Sequence, residues 1–131
     1  MHSPKAASDL DAVTVDANGT AVDLDDPTDR LQAALAERGV DRDRDVVAAA
    51  FRAEVAYYLP RTLEGSDEAG LADLLRRCTR VFLEHAEADL EPESFAQAFA
   101  DSIRFRPIPG AAEALKRLQG AGLALACVSN W

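Results

Sequence analysis

The chain has few cysteines that could bind a metal, and it has no long apolar run that could anchor it in a membrane. Its two cysteines, Cys78 and Cys127, fall in predicted regular elements and form no metal-binding or redox motif. Reduced thiols in a cytoplasmic protein are the simplest interpretation. No apolar run approaches the ~20 residues of a membrane span, and the polar residues 1–10 suit a disordered tail rather than a signal peptide. We therefore expect a cytoplasmic protein without a membrane partner.

Positive charge is also scarce. There are 14 Lys and Arg residues against 23 Asp and Glu residues, which gives a formal net charge of −9, and Lys5 and Lys116 are the only lysines. Because an acidic chain repels phosphate backbones, we expect no nucleic-acid partner. The 131 residues, 48% of them hydrophobic, suit one globular domain or one small domain that carries an insertion.

A short strand-forming stretch, Ala12–Val15, ends at a carboxylate, and a glycine-containing turn follows at once. Open α/β sheets bind ligands beyond the carboxyl ends of their strands, which makes Asp16 a candidate site residue. Gly19 allows a ligand to approach the backbone closely, and Thr20 adds a hydroxyl group. An Asn-Gly pair after a strand is also typical of a type I′ hairpin turn, so that alternative stays open.

The middle of the chain, residues 25–103, has helical periodicity. After a short extended or turn segment at 21–27, four amphipathic helices are predicted, over residues 28–38, 44–59, 67–88 and 92–103. Pro60 should end or kink the second helix. The third has the clearest apolar stripe, which consists of Leu71, Leu74, Leu75, Cys78, Val81, Phe82 and His85. Four such stripes are most simply buried against one another, as a small bundle.

The pattern changes again after residue 103. A helix is predicted over residues 111–119, and Gly120 and Gly122 stop it. The uninterrupted apolar run Leu123–Val128 is typical of a strand buried on both faces of a parallel sheet. The layout of strand, helical insertion, helix and strand predicts an α/β fold.

Both predicted strands end in polar residues. Asp16 and Thr20 follow the first strand, and Ser129 and Asn130 follow the second. In a parallel pair these four residues would meet in one crevice. A plain strand-end turn is the alternative for Ser129 and Asn130.

Together the two strand regions resemble the haloacid dehalogenase-like (HAD) hydrolase superfamily. Val13–Thr20 resembles its first motif, an apolar strand followed by D-x-D-G-T, and Pro107–Asn130 resembles the approach to its second motif. The likeness is to the subgroup with a helical cap inserted after strand one, and it covers nearly all of the chain past residue 10. It implies a truncated Rossmann-like parallel sheet of two strands, with 11–24 and 104–131 as a partial core and 25–103 as a four-helix cap.

The resemblance implies a role for each matching residue. Asp16 would be the nucleophile, forming an aspartyl ester that water later releases. In a phosphatase, the Asp16 carboxylate and the backbone carbonyl of Asn18 would ligate Mg²⁺. Thr20, Ser129 and Asn130 would hydrogen-bond the transferring group or orient the nucleophile. The cap would close over a small-molecule substrate.

Asn18 departs from the family's phosphatases, which have a second Asp there as general acid and base. A side-chain amide cannot act as a general acid or base near neutral pH, and general acid–base help contributes ~10²–10⁴-fold. Halide leaves without a proton, and the family's dehalogenases also lack this Asp, so Asn18 favours a 2-haloacid dehalogenase-like hydrolase that needs no cofactor. The phosphonatase branch requires a cap lysine, and none lies between Asp16 and Lys116. We rank a phosphatase acting on a small phosphorylated substrate first and the dehalogenase second.

Three cap residues, Arg52, Tyr58 and Arg61, are candidates for binding the substrate. A guanidinium fork fits a carboxylate or a phosphate, and an aromatic-Arg pair early in the cap resembles the dehalogenases. The alternatives are solvated arginines on a helix face and a tyrosine packed in the bundle.

The third and fourth motifs of the family, a basic residue and acidic metal ligands, would follow the second motif and lie past Trp131. The resemblance therefore leads us to expect an N-terminal portion of such an enzyme. A sheet of two strands leaves unpaired edges, so an inactive truncated product or a helical interaction module is a further alternative. The oligomeric state stays open.

Overall fold

The protein is described by a computed structural model that covers residues 9–129. The chain divides into two compact units. The sheet unit joins the segment that ends at Asp25 to the segment that begins at Phe105, and the helical unit spans Asp26–Arg104. This division falls within one residue of the boundaries predicted for the inserted helical block.

The described residues form α-helices and short strands, together with one 3₁₀ helix. In chain order the elements are β1 (Ala12–Val15), β2 (Val22–Asp25), α1 (Thr28–Ala36), α2 (Arg44–Tyr58), the 3₁₀ helix (Leu59–Gly65), α3 (Glu68–His85), α4 (Pro92–Ser102), β3 (Arg104–Pro107), α5 (Ala111–Gly120) and β4 (Ala124–Cys127). This order confirms the predicted α/β class. No helix in the described part of the chain is long and apolar enough to cross a membrane.

Strands β1 and β4 pair in parallel, as the sequence predicted, although more than a hundred residues separate them. The register runs from Ala12 opposite Ala124 to Val15 opposite Cys127. Hydrogen bonds extend the ladder at both ends, from the N–H of Ala124 to the Asp11 carbonyl and from the N–H of Val128 to the Val15 carbonyl, each 3.0 Å. Helix α5 precedes β4 in the chain and packs against it. A second two-stranded sheet is formed by β2 and β3.

The prediction that the run Leu123–Val128 is buried on both faces is wrong for the described structure. Every residue of β4 is exposed, with Leu125 at 37% of its full accessible surface, and Val128, which follows the strand, is 64% exposed. Burial of both faces requires a layer on each side of the sheet. Here β4 has one neighbouring strand and one packed helix, and none of the described residues of the sheet unit is buried.

The buried core lies in the helical unit, where the apolar stripes of the four α-helices meet. Three phenylalanines lie at its centre: the Phe82 ring stacks on Phe95 at 6.0 Å and lies tilted against Phe99 at 5.3 Å between ring centroids. All three are 1% exposed or less. Leu31 and Val47 complete the packing from α1 and α2. Large rings account for much of the apolar surface that stabilises such a core.

Two members of the predicted stripe on the third helix are not buried. Leu71 is 57% exposed, and His85 at the last turn is exposed. Helix α3 is also shorter than predicted, because the Asp67 side chain caps its start by accepting the N–H of Gly70 and the chain leaves the helix after His85. Arg42 then binds the freed carbonyls of Ala86, at 2.8 Å, and Glu87.

Candidate functional site

Asp16 is the first residue beyond β1, as predicted, and its carboxylate is exposed. One carboxylate oxygen, Oδ1, accepts the N–H of Ala17 at 2.9 Å. This local bond orients the side chain at the carboxyl end of the strand and leaves the second oxygen accessible. An exposed carboxylate in this position can act as a nucleophile or a ligand.

The turn after Asp16 is not a hairpin. Gly19 has a φ of +78°, which favours glycine, and its N–H donates to the Val22 carbonyl at 2.8 Å. The carbonyl of Ala17 accepts the N–H groups of Ala21 and Val22 at 2.9 and 3.0 Å. Since β1 pairs with β4 and β2 pairs with β3, the type I′ alternative for Asn18-Gly19 is wrong. The turn folds back on itself directly beside the carboxylate.

The parallel register brings the segments after β1 and β4 to the same edge of the sheet. Val15 and Cys127 are opposite each other, so Asp16 and Val128 leave the ladder together, and Ser129 is the next residue. Ser129 is exposed. Asn130 lies outside the described residues. The predicted convergence of Asp16 with the Ser129 segment is therefore supported at the level of the backbone.

A small crevice of about 180 Å³ opens at Asp16. Its lining is almost entirely apolar and consists of Val15, Asp16, Ala21, Leu115, Leu125, Ala126 and Cys127. Asp16 is the only charged residue among them. Asn18 and Thr20 are not part of the lining. The crevice suits a small, largely uncharged group placed next to the carboxylate.

Cys127 also lines the crevice, although the sequence did not predict it. It is a free, exposed thiol that lies opposite Val15 in the register. No signal in the sequence marked this position, because the register of the parallel pair decides which residue of the run Leu123–Val128 lies opposite Val15. The absence of a cysteine motif hid that position.

The described residues do not by themselves fit a resident Mg²⁺ ion. The Asp16 carboxylate and the Asn18 carbonyl supply oxygens, but Mg²⁺ prefers about six oxygen ligands in an octahedron. Among residues 9–129 no cluster of three or more His, Cys, Asp or Glu side chains could hold a metal. A cation held by Asp16 and Asn18 would depend on water or substrate for its other ligands.

The three residues predicted to bind the substrate from the helical unit differ in how firmly that unit holds them. Arg61 is half-buried: its guanidinium carbon lies 3.9 Å above the ring of Tyr57, and its NH1 donates to the Tyr57 carbonyl at 2.7 Å. Arg52 is exposed on α2, with no hydrogen bond or ion pair within the described residues. Tyr58 is half-buried at the end of α2. Of the two arginines, only Arg61 has a fixed geometry.

The role of Tyr57 was likewise not predicted from the sequence. Its hydroxyl accepts a hydrogen bond from Arg77 NH1 at 3.0 Å, while its ring carries Arg61. Arg77 in turn pairs with Asp73 and Glu64. Helical spacing placed Tyr57 on α2, but only the packing of α3 and the 3₁₀ helix brought both arginines to it.

Compared with known protein families, with curated proteins and with solved structures, the chain matches none.

Proposed function

We propose that this chain is a hydrolase that works through an ester at Asp16, in the manner of the HAD-like superfamily. The observation that supports this proposal most is the parallel pairing of β1 and β4, which gives the exposed Asp16 carboxylate and the Ser129 segment a common edge. Under this proposal the sheet unit is part of a Rossmann-like core and the helical unit, with its four α-helices, is the cap. Ser129 and Asn130 then bind or orient the group that is transferred.

The chemistry proceeds in two steps. A carboxylate oxygen of Asp16 attacks an electrophilic carbon or phosphorus and forms the ester bond, while the leaving group departs with the electron pair of the bond that breaks. Water then cleaves the ester and regenerates the carboxylate. Asn18 cannot supply the proton that an alkoxide leaving group needs, so substrates with a good leaving group are favoured.

Phosphate esters and haloacids are the two substrate classes to compare. Phosphatase action is the broader expectation from the resemblance. The crevice favours the second class, since its lining is apolar and Asp16 is its only charge, which suits a neutral carbon–halogen group better than a phosphate dianion. A volume of about 180 Å³ limits the group bound there to a small one. A 2-haloacid dehalogenase-like activity is therefore our second candidate, on specific structural grounds.

Within this proposal the cap cation is Arg61. Its stack on Tyr57 and its bond to the Tyr57 carbonyl fix the guanidinium before any ligand arrives. No carboxylate pairs with it in the described part of the chain, so it keeps donors for a substrate anion. Arg61→Ala should raise KM at least ~10-fold, the effect of losing one charge-assisted hydrogen bond, whereas Arg52→Ala should leave KM unchanged.

The activity assay uses 2-chloropropionate and p-nitrophenyl phosphate, each with and without Mg²⁺. Halide or phosphate release is measured for the unaltered chain, for Asp16→Asn and for Asp23→Asn, an exposed carboxylate on β2 that serves as the control. We expect turnover that is lost in Asp16→Asn and kept in Asp23→Asn. Activity that survives in Asp16→Asn, or no turnover of either substrate, contradicts the proposal.

Single turnover in H₂¹⁸O tests the intermediate itself. If water attacks the ester at the aspartyl carbonyl carbon, as for a carbon ester, mass spectrometry should find ¹⁸O in the Asp16 peptide. For a phosphate ester the label enters the released phosphate with or without an aspartyl phosphate, so this experiment decides the intermediate only for the haloacid substrate. Labelled alcohol product with no label in Asp16 would indicate direct attack by water and exclude an ester intermediate on carbon.

A further inference from the structure

The helical unit contains a groove between α1 and α4 that no part of the proposed function uses. Its volume is about 440 Å³, within the ~300–1,000 Å³ range of small-molecule sites. Three alanines, Ala33, Ala34 and Ala98, line it. Because their side chains are short, the space between α1 and α4 stays unfilled. The groove is thus large enough for a metabolite of ordinary size, unlike the crevice at Asp16.

The lining of this groove is cationic, although the surrounding unit is acidic. Arg30, Arg38 and Arg104 line it, against Glu37 and Asp101. The helical unit as a whole has ten arginines against seventeen Asp and Glu residues. A local excess of guanidinium groups in a concave surface concentrates positive potential there.

Main-chain carbonyls hold these guanidinium groups in place. Arg38 donates NH1 to the Ala34 carbonyl at 2.9 Å, and its guanidinium carbon lies 5.2 Å from the centroid of the Phe95 ring. Arg104 donates Nε to the Asp101 carbonyl at 3.3 Å, and Arg30 donates Nε to the Ser102 carbonyl at 2.8 Å. Fixed side chains lose little entropy when a ligand binds.

Donors remain on two of these residues. A guanidinium has five N–H groups. Arg104 uses one of its five on a carbonyl, and Arg38 uses one on a carbonyl and lies 3.9 Å from Glu37. The Asp101 carboxylate, by contrast, accepts a hydrogen bond from Gln97 at 2.9 Å. The groove therefore has three guanidinium groups that can attract an anion and two carboxylates, Glu37 and Asp101, that repel it.

We propose that the groove between α1 and α4 binds a small anionic metabolite through Arg38 and Arg104. The recognised group is a phosphate or a carboxylate, since a guanidinium fork matches the oxygens of both. The alanines contact the rest of the ligand. The site lies wholly within the helical unit and is independent of the chemistry at Asp16.

Isothermal titration calorimetry with inorganic phosphate and with citrate, at constant ionic strength set with chloride, tests this site. We expect saturable binding of at least one probe, and the tighter probe identifies phosphate or carboxylate as the recognised group. Arg104→Ala should weaken binding at least about tenfold, because it removes a charged donor. Ala33→Gln should weaken it as well, by filling the groove without changing its charge.

Matched controls separate this site from general attraction of anions. Arg80→Ala removes an exposed arginine of α3 that does not line the groove, and Ala36→Gln enlarges an α1 side chain outside it. Both should leave the affinity unchanged within about twofold. The proposal is overturned if neither probe saturates, or if Arg80→Ala weakens binding as much as Arg104→Ala. Ala33→Gln keeps every charge, so it tests the groove even if Arg104→Ala unfolds the chain. Unchanged affinity in a folded Ala33→Gln variant would contradict binding in the groove.

Discussion

The carboxyl group of Glu54 on α2 and the thiol of Cys78 on α3 are hydrogen-bonded to each other inside the helical unit. Both residues are buried, with 5% and 3% of their surface exposed. Burial raises the pKa of Glu54, and the bond from Cys78 offsets part of that rise. Burial and the neighbouring Glu54 raise the pKa of Cys78 to about 12, against the opposing influence of Arg77 and Arg61. The thiol is therefore protonated and unreactive at neutral pH.

The raised pKa of Glu54 predicts that the contribution of this carboxyl group to the stability of the helical unit falls as pH rises. The folded chain keeps a proton that the unfolded chain releases near the ordinary pKa of 4.5. The contribution of Glu54 to the free energy of unfolding should thus be highest below that pH and fall as pH rises through its folded-state pKa, whereas Asp26 and Asp73, whose pKa values are lowered by hydrogen bonds, contribute in the opposite direction. Glu54→Gln removes the titrating proton, so its urea-unfolding free energies should fall less across this range.

Glu84→Gln is the control for this pH dependence, because Glu84 is an exposed carboxylate on α3. It should reproduce the slope of the unaltered chain. The neighbouring charged network is unchanged in both variants: Arg77 binds Tyr57, Glu64 and Asp73, and Arg61 lies over the Tyr57 ring. Parallel curves for Glu54→Gln and the unaltered chain would contradict the assignment.

Phe82 should contribute more to stability than any exposed apolar residue. Its ring contacts both Phe95 and Phe99 and is fully buried. Phe82→Ala removes these contacts and leaves a cavity, so we expect a loss of ~3–5 kcal/mol in the free energy of unfolding, measured by urea denaturation. Leu63→Ala is the comparison, since Leu63 is 87% exposed, and its effect should stay within about 0.5 kcal/mol. Similar losses of unfolding free energy in the two variants would contradict the assignment of Phe82 to the centre of the core.

Glu87 has a φ of +52°, a left-handed conformation that is strained for a residue with a side chain. It follows the end of α3, where the N–H of Ala88 donates to the Leu83 carbonyl at 2.9 Å. Glycine is the preferred residue at this kind of helix end. Glu87→Gly should therefore raise the free energy of unfolding, by up to about 1 kcal/mol after the entropy cost of glycine is included.

Glu84→Gly, one turn earlier, provides the opposite control for Glu87→Gly. Glu84 lies inside α3, where glycine costs about 1 kcal/mol, so this variant should be destabilised. Thermal unfolding of both variants gives the comparison. A destabilised Glu87→Gly would show that the Glu87 side chain contributes more than its backbone strain costs.

Hydrogen exchange should differ strongly between the two units. The N–H groups of Ala124 and Val128 donate to the carbonyls of Asp11, just before β1, and of Val15, but the described residues around them are not buried. The amides of α3 near Phe82 lie over the core. Amides with few buried contacts exchange through small local openings, so the β1–β4 ladder should exchange much faster than the centre of α3. Equal protection of the two regions, measured by NMR, would contradict this expectation.

Much of the fold could be predicted from local patterns. The helical stripes placed Phe82, Phe95 and Phe99 on inward faces, and Pro60 correctly marked the end of α2, which stops at Tyr58. The segment that continues as a 3₁₀ helix and the strand β3 had no comparable periodicity. They were missed because short elements without an apolar repeat depend on their neighbours.

The candidate site was predicted in part. The parallel pairing of the strands followed from their apolar composition and their separation by a helix, and it placed Asp16 near the Ser129 segment. The roles of Cys127 and Tyr57 could not be found, since each depends on which residue lies opposite it. The exposure of β4 was mispredicted because an apolar run gives the potential for burial but not the layers that cover it.

The sequence by itself determined the class of each long element, the faces that the four helices bury and the pairing of two distant strands, because these follow from periodicity and hydrophobicity. Only the tertiary structure decided that Glu54 meets Cys78, that Tyr57 holds Arg61, and that α1 and α4 leave a groove lined with arginines. Such contacts between side chains depend on the rotation of each helix about its axis and on the distance between helices. Neither the rotation nor the distance is set by residues near one another in the chain.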